Sequence, residues 1–433
     1  MSQGSPGRQQ DRQRTNETKS PGKWLTRFGL DGFSPSLALF GLCVFTFAVV
    51  TFYLKIGQLG IGIAVVGLLL QSGKLRMSSP VWLFGAFVLW AAIASFASIH
   101  TDTAQDHVLE LTKLVVILLV VVNALRSQGQ IRFYLFFFLA CFILFPVRGA
   151  LMNYVTGYHP FGRALWNYIY NNPNDLASLC LIALGVAISI ASSATGSRIV
   201  RLASGGGAIL LLITILLTQS RGVFLGMAIS MGPALVRQCV QRPKLIVLAL
   251  LVGVSVAATV PNSVWERLAG IEKLTSSSTI AEADPEGSAA ERLKIQKVAW
   301  EIFIDNPVFG TGLGTYPLAN DRYAPALGRK DTHNTYLNLL AEVGLPGFLL
   351  WILCFGTTLR YAYRQRQRAV PGVHVTQQAW LERAMVGYLI AGLFGTYGLL
   401  TFPYLMLGVL WCSATLLSMP PQTNQQLNVK RGI

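Results

Sequence analysis

The stretch RKDTHNTYLNLLAEVGLPG, Arg329 to Gly347, joins the longest polar part of this chain to an apolar run that continues past Trp351. Asp331 or Thr332 can cap a helix that begins at His333. At helical spacing His333, Tyr336, Leu337 and Leu340 then share one face. Gly344 and Gly347 punctuate the turn into the next apolar segment. A lone histidine on such a face is usually a packing residue. This one stands where a polar loop meets a membrane helix, so its meaning depends on what shares its side of the membrane.

Working outward, apolar runs dominate. Of 433 residues, 52% are hydrophobic and 12% charged, about half the charge of a soluble protein. The chain reads as an all-α polytopic membrane protein of about 12 transmembrane helices. A large soluble helical core would need polar stripes on its surface helices, and most runs have none. The net charge of +16 does not point to nucleic acid, because the basic residues lie mostly in short turns between apolar runs. The six cysteines form no CxxC pair, so neither a disulfide framework nor a zinc site is expected.

The expected division is a polar cytoplasmic tail at 1–33, nine spans within 34–260, a loop at 261–344, spans ten to twelve within 345–418, and a second tail at 419–433. Span nine is placed at Leu245–Val260, span ten at Leu345–Thr358 and span eleven at Ala384–Leu400. Lys74/Arg76, Arg126/Arg132, Arg198/Arg201, Arg237/Arg242/Lys244 and the Arg360–Arg368 cluster fall on alternate turns. By the positive-inside rule these turns and both termini are cytoplasmic. The Tyr158–Asp175 connection, the turn QSRG at Gln219–Gly222 and the long loop then all lie outside.

The long loop carries eight basic and eleven acidic residues, against the basic trend of the whole. Ala289–Asp305 reads as an amphipathic helix with Leu293, Trp300 and Phe303 as its packing residues. GTGLGTYP, Gly310–Pro317, follows no βαβ signal and lacks the Lys-Ser/Thr of a P-loop. It reads as a glycine turn that lets loop backbone pack on the bundle.

Arg163, Arg221, Arg292 and His333 stand out on the outer side. For Arg221 the plain alternative is snorkelling to headgroups. For Arg163 it is an aromatic belt with Trp166, Tyr168 and Tyr170, and for Arg292 a pair with Glu291 or another helix neighbour. Arg148, in an apolar span, calls for a partner such as Asp175 or Glu110. Together the arginines make an outward polyanion site, since a guanidinium fork matches phosphate oxygens. Histidine is the natural base near neutral pH, oriented by Asp331 or Glu342. Metal-free transfer without a cofactor is expected.

At these residues the chain resembles a known family. Ser220–Gly222 (SRG), Asn171–Asp175 (NNPND) and the block FGTGLGTYP…DTHNTYLNLLAEVGLPG resemble the bacterial O-antigen ligase and polymerase superfamily, best over roughly residues 150–350. The resemblance implies transfer of a glycan from undecaprenyl diphosphate at the periplasmic face of the inner membrane. A ligase uses a lipid A-core acceptor, a polymerase another repeat unit, and related enzymes a protein serine or threonine. The long late loop with its histidine favours the ligase. The family's essential arginines and histidine fall on Arg163, Arg221, Arg292 and His333. A transporter is the rival class, but it would show repeats or broken spans near the midplane, whereas these polar residues gather on one face.

Overall fold

The computed structural model describes residues 28–51, 56–71, 73–159, 162–193, 197–241 and 288–419, and the side chains of 288–290 are excluded. The expected span nine and residues 261–287 of the long loop lie outside this set. So do most of the N-terminal tail and nearly all of the C-terminal one.

The described residues form helices and connections without strands. In chain order the helices are α1 (Leu37–Thr51), α2 (Gly57–Leu69), α3 (Ser79–Ser95), α4 (Thr101–Ala124) and α5 (Gln128–Val155). Then come α6 (Pro173–Ala191), α7 (Arg198–Thr218), α8 (Arg221–Gln241), α9 (Ser288–Asp305) and α10 (Tyr316–Tyr323). The last three are α11 (Thr335–Arg368), α12 (Val373–Ala391) and α13 (Thr401–Leu417). Six of them, α4 to α8 and α11, are long and apolar enough to cross a membrane. Four more, α1, α2, α3 and α13, are apolar but shorter. The fold is that of a polytopic membrane protein.

Helix ends follow local chemistry. Ser127 and Gln130 form a reciprocal capping box that starts α5. Pro146 sits inside α5, and the helix accommodates its missing N–H by widening into a π turn at Ile143–Val147. Pro173 opens α6 behind an Asn172 cap. Helix α6 is the most enclosed span, with Leu176, Leu179, Cys180, Ala183 and Val186 all at zero exposure. Helix α8 turns most of its surface outward, as a lipid-facing helix does.

Several expectations are corrected here. The apolar run alone places span four at Leu111–Leu125, but α4 begins ten residues earlier, at Thr101, because its polar first turns lie on the same helical path. Span seven, read as Ala208–Leu217 extended backward by three glycines, starts earlier still, at Arg198. Helix α8 runs on to Gln241, so Arg237 is helical rather than in a turn. The expected span eleven is displaced: α12 ends at Ala391, and residues 392–400 form an irregular crossing. Their apolar composition mimics a span, but Gly392, Gly395 and Gly398 break the helix there.

The decisive bend is at Gly344, where α11 changes direction with φ 65°. A Cβ at this position would run into the Val308 carbonyl, so only glycine lets the 306–309 turn press against the bend. Val343 is held by the Trp90 indole, whose Nε1 donates to its carbonyl at 2.9 Å. Before the bend, the Tyr336 ring lies 6.0 Å from that of Trp351 beyond it. Residues 335–343 therefore fold back over the end of the bundle.

The GTGLGTYP segment packs as read. Thr311 and Gly312 donate to the carbonyls of Ala341 and Glu342, each at 2.9 Å. Helix α9 forms as expected but turns another face inward. Ile295, Val298, Ala299 and Ile302 pack with Tyr316, Ala319 and Ala341, while Leu293 and Trp300 are exposed.

Candidate active site

One end of the bundle collects the termini that carry the singled-out residues. Among the described residues three non-glycines have left-handed backbone: Tyr168 (φ 58°), Gln219 (φ 54°) and His333 (φ 50°). They fall one in each of the three segments that the sequence marked. Such backbone costs on the order of 1–3 kcal/mol and persists where surrounding contacts dictate it.

His333 is not the first residue of a helix, as its spacing indicated. The cap is Asn334, whose side chain accepts from Tyr336 and Leu337 at 3.0 and 3.1 Å. Thr332 is instead bonded to Asn338 at 2.9 Å and to Thr396 at 3.0 Å. His333 thus stands just outside the helix, on left-handed backbone. Burial pushes its imidazole pKa down, and the nearby Arg292 cation adds to this. Asp331 opposes both. Glu342 does not orient the ring: its Oε1 accepts from the Tyr316 amide at 3.0 Å.

Arg292 occupies the first turns of α9, beside His333. The neighbouring Glu291 is taken up by Lys330 at 3.1 Å. Arg163 lies in the connection between α5 and α6. Its Nε donates to the Thr218 carbonyl at 2.7 Å and its Nη2 to Asn174 Oδ1 at 2.8 Å. The backbone alongside is tied to the end of α7, with Ala164 N to the Leu217 carbonyl at 2.9 Å. Gln219 Nε2 donates to the Gly162 carbonyl at 2.9 Å. Arg221 begins α8 on the far side of the same turn. Its Nε is buried with no hydrogen-bond partner among the described residues.

The crossing at 392–400 holds these pieces together. Thr335 N donates to the Gly392 carbonyl at 2.7 Å, Thr335 Oγ1 donates to the Gly395 carbonyl at 2.7 Å, and Tyr397 N donates to Thr335 Oγ1 at 2.8 Å. Tyr397 Oη reaches the Asn174 carbonyl at 3.3 Å. The buried Tyr397 phenol is raised by burial and then by Asp175, while the charges of Arg292 and Arg163 pull it down. Tyr397 thus lies within electrostatic reach of Arg292 and Arg163, and His333 within reach of Arg292. The sequence reading missed this crossing. Its only signal was a glycine every third residue in an otherwise apolar run.

Arg148 meets neither proposed partner by an ion pair. It is exposed, and Glu110 is engaged by Lys113. Its position on α5 leaves the guanidinium outside the enclosed core, so no interior partner is required.

Gly222 of the SRG turn has a specific task. A Cβ there would strike the Phe394 Cβ, so glycine lets the start of α8 seat against the crossing. Gly222→Ala is expected to lower Tm by several degrees, since overpacking costs about 1–3 kcal/mol. Thermal unfolding in detergent checks this, and an unchanged Tm counts against the contact.

The fold and this end of the bundle define a polytopic helical membrane protein with cationic side chains and an imidazole gathered at one face. Residues 206–352 match the family model described as O-antigen ligase. Arg221, Arg292 and His333 lie within the matched residues, and Arg163 lies outside them. The family implies O-antigen ligase or polymerase-type activity in lipopolysaccharide synthesis. No curated protein matches the chain.

Proposed function

We propose that this protein is an O-antigen ligase. It transfers an undecaprenyl-diphosphate-linked glycan to a sugar hydroxyl of the lipid A-core oligosaccharide, at the periplasmic face of the bacterial inner membrane. The observation that supports the reading is that Arg163 and Arg292 both lie within electrostatic reach of Tyr397, and Arg292 within reach of His333. The orientation rests on the basic turns at the opposite end, including Arg76, Arg126, Arg366 and Arg368.

In this reading Arg163, Arg221 and Arg292 bind the diphosphate and stabilise it as it departs. Neutral His333 takes the proton of the acceptor hydroxyl. The oxygen attacks the anomeric carbon opposite the phosphate, the C–O bond to the diphosphate breaks, and the anomeric configuration inverts. The arginines supply the charge neutralisation, so the transfer is metal-independent. Reconstitution with the undecaprenyl-diphosphate glycan and three acceptors tests the assignment. Transfer to lipid A-core is the expected result. Exclusive transfer to a second repeat unit or to a peptide would replace the ligase by a polymerase or a protein oligosaccharyltransferase.

A pH profile tests the pairing of Arg292 with His333. A base works when neutral, so activity is lost as pH falls through its pKa. Burial and the Arg292 charge hold that pKa below the ordinary histidine value, which keeps the base neutral at pH 7. Arg292→Gln removes the larger of the two cationic lowering causes, leaving burial and Lys330, so the acid limb of kcat/KM should move to higher pH. A limb that stays in place while activity falls would detach Arg292 from His333.

A further inference from the structure

A cavity of about 410 Å³ lies at the same end of the bundle, not lined by Arg163, Arg221 or Arg292, where the α3–α4 connection, the α9–α10 connection and α10 meet. Its volume is within the usual range for small-molecule sites. Its lining combines polar and apolar groups: His100, Asn306, Thr311, Arg322 and Tyr323, with Ile99 at the rim. Asn306 Nδ2 is braced by the Ile302 carbonyl at 3.1 Å and the Tyr323 hydroxyl at 3.3 Å. Its Oδ1 has no partner among the described residues. The cavity wall is rigid, because Gly310 and Thr311 are fixed to α11 through the backbone bond of Thr311 N to the Ala341 carbonyl.

An amide, a guanidinium and an imidazole around an aromatic ring suit vicinal hydroxyls, which offer paired donors and acceptors above an apolar ring face. An acyl chain would leave these groups without partners. From Thr335 to Ala341 the helix rises about 9 Å, so the cavity stands roughly two sugar rings from His333. Ile99 of the lining and Phe96 just before it, both in the α3–α4 connection, are 73% and 78% exposed, so a membrane-anchored molecule can approach on this side.

We propose that this cavity is a saccharide subsite for the acceptor, holding a sugar ring at some distance from the hydroxyl that reacts at His333. The proposal rests on the transferase reading and sharpens it: the acceptor is recognised as an oligosaccharide rather than by one hydroxyl. A protein serine would leave the cavity empty.

The test uses the full-length protein in nanodiscs with two lipid-anchored acceptors, a complete core oligosaccharide and one trimmed to a single sugar. Tyr323→Ala should raise KM for the complete acceptor about tenfold, with kcat and the donor KM unchanged. Asn306→Ala should act the same way. Trimming should weaken binding to the native protein by a similar factor and cost Tyr323→Ala nothing more. Equal effects of Tyr323→Ala on both acceptors, or an effect on the donor KM, would overturn the subsite. Saturation-transfer NMR with delipidated core oligosaccharide separates this from the transferase reading. Transfer without a Tyr323-dependent signal sinks the subsite alone. A Tyr323-dependent signal with no transfer to any acceptor supports the subsite and sinks the transferase. Absence of both sinks both.

Discussion

Loss of the His333 imidazole is expected to lower kcat for transfer by about 10²–10⁴, the range that general base catalysis supplies. Donor-lipid binding should persist. The choice of replacement matters because His333 has φ 50°. Alanine is strained in that region, whereas asparagine enters it readily through its short polar side chain. His333→Asn therefore keeps the backbone and removes only the base. If the two variants lose activity equally while His333→Asn retains the native Tm, chemistry accounts for the loss. Near-normal turnover by His333→Asn at saturating acceptor would rule the residue out as the base. Loss of donor binding would move it into the phosphate site. Product stereochemistry is an independent check, since a single displacement inverts and retention would require a glycosyl-enzyme intermediate.

The sequence conveyed the membrane class because a bilayer imposes length and apolarity together, and few other environments do. It conveyed the segments of the site for a related reason: a charged residue at a span boundary is costly, and so conspicuous. It did not convey how the segments meet. Residues 392–400 have the apolar composition of a span, yet they serve through backbone carbonyls and amides that accept and donate at Thr335. Hydropathy does not register such groups. The inward face of α9 was misjudged because its largest apolar residues, Leu293 and Trp300, are the exposed ones. Smaller Ala299 fits against Tyr316 and Ala341, and close approach selects size over hydrophobicity. The cap of α11 was misplaced for want of one fact, the left-handed turn at His333. That turn is imposed by distant contacts: Thr332 to Thr396 and Thr335 to Gly392.

Arg221 is expected to separate stability from activity. It is the first residue of α8, where the helix dipole disfavours a cation by about 0.3–1 kcal/mol. Its buried Nε, without a hydrogen-bond partner among the described residues, adds a desolvation cost on the order of 1–3 kcal/mol. Both costs are reversed by an anion at that position, since a phosphate oxygen accepts from Nε and favours the helix N-terminus. Without substrate, the arginine is therefore a liability. Arg221→Ala should leave the Tm of the free protein unchanged or slightly raised. It should reduce transfer by about 10²–10³, the usual effect of removing one donor from developing negative charge. Arg221→Lys keeps a charge but loses the planar fork and the Nε donor, so it should recover only part of the rate. A donor analogue should raise the Tm of the native protein more than that of Arg221→Ala, because only the native protein gains the missing partner. Full rescue by lysine would make Arg221 a plain countercharge. A large fall in Tm for Arg221→Ala, with transfer lost in proportion to unfolding, would make it a structural residue and remove it from the donor site.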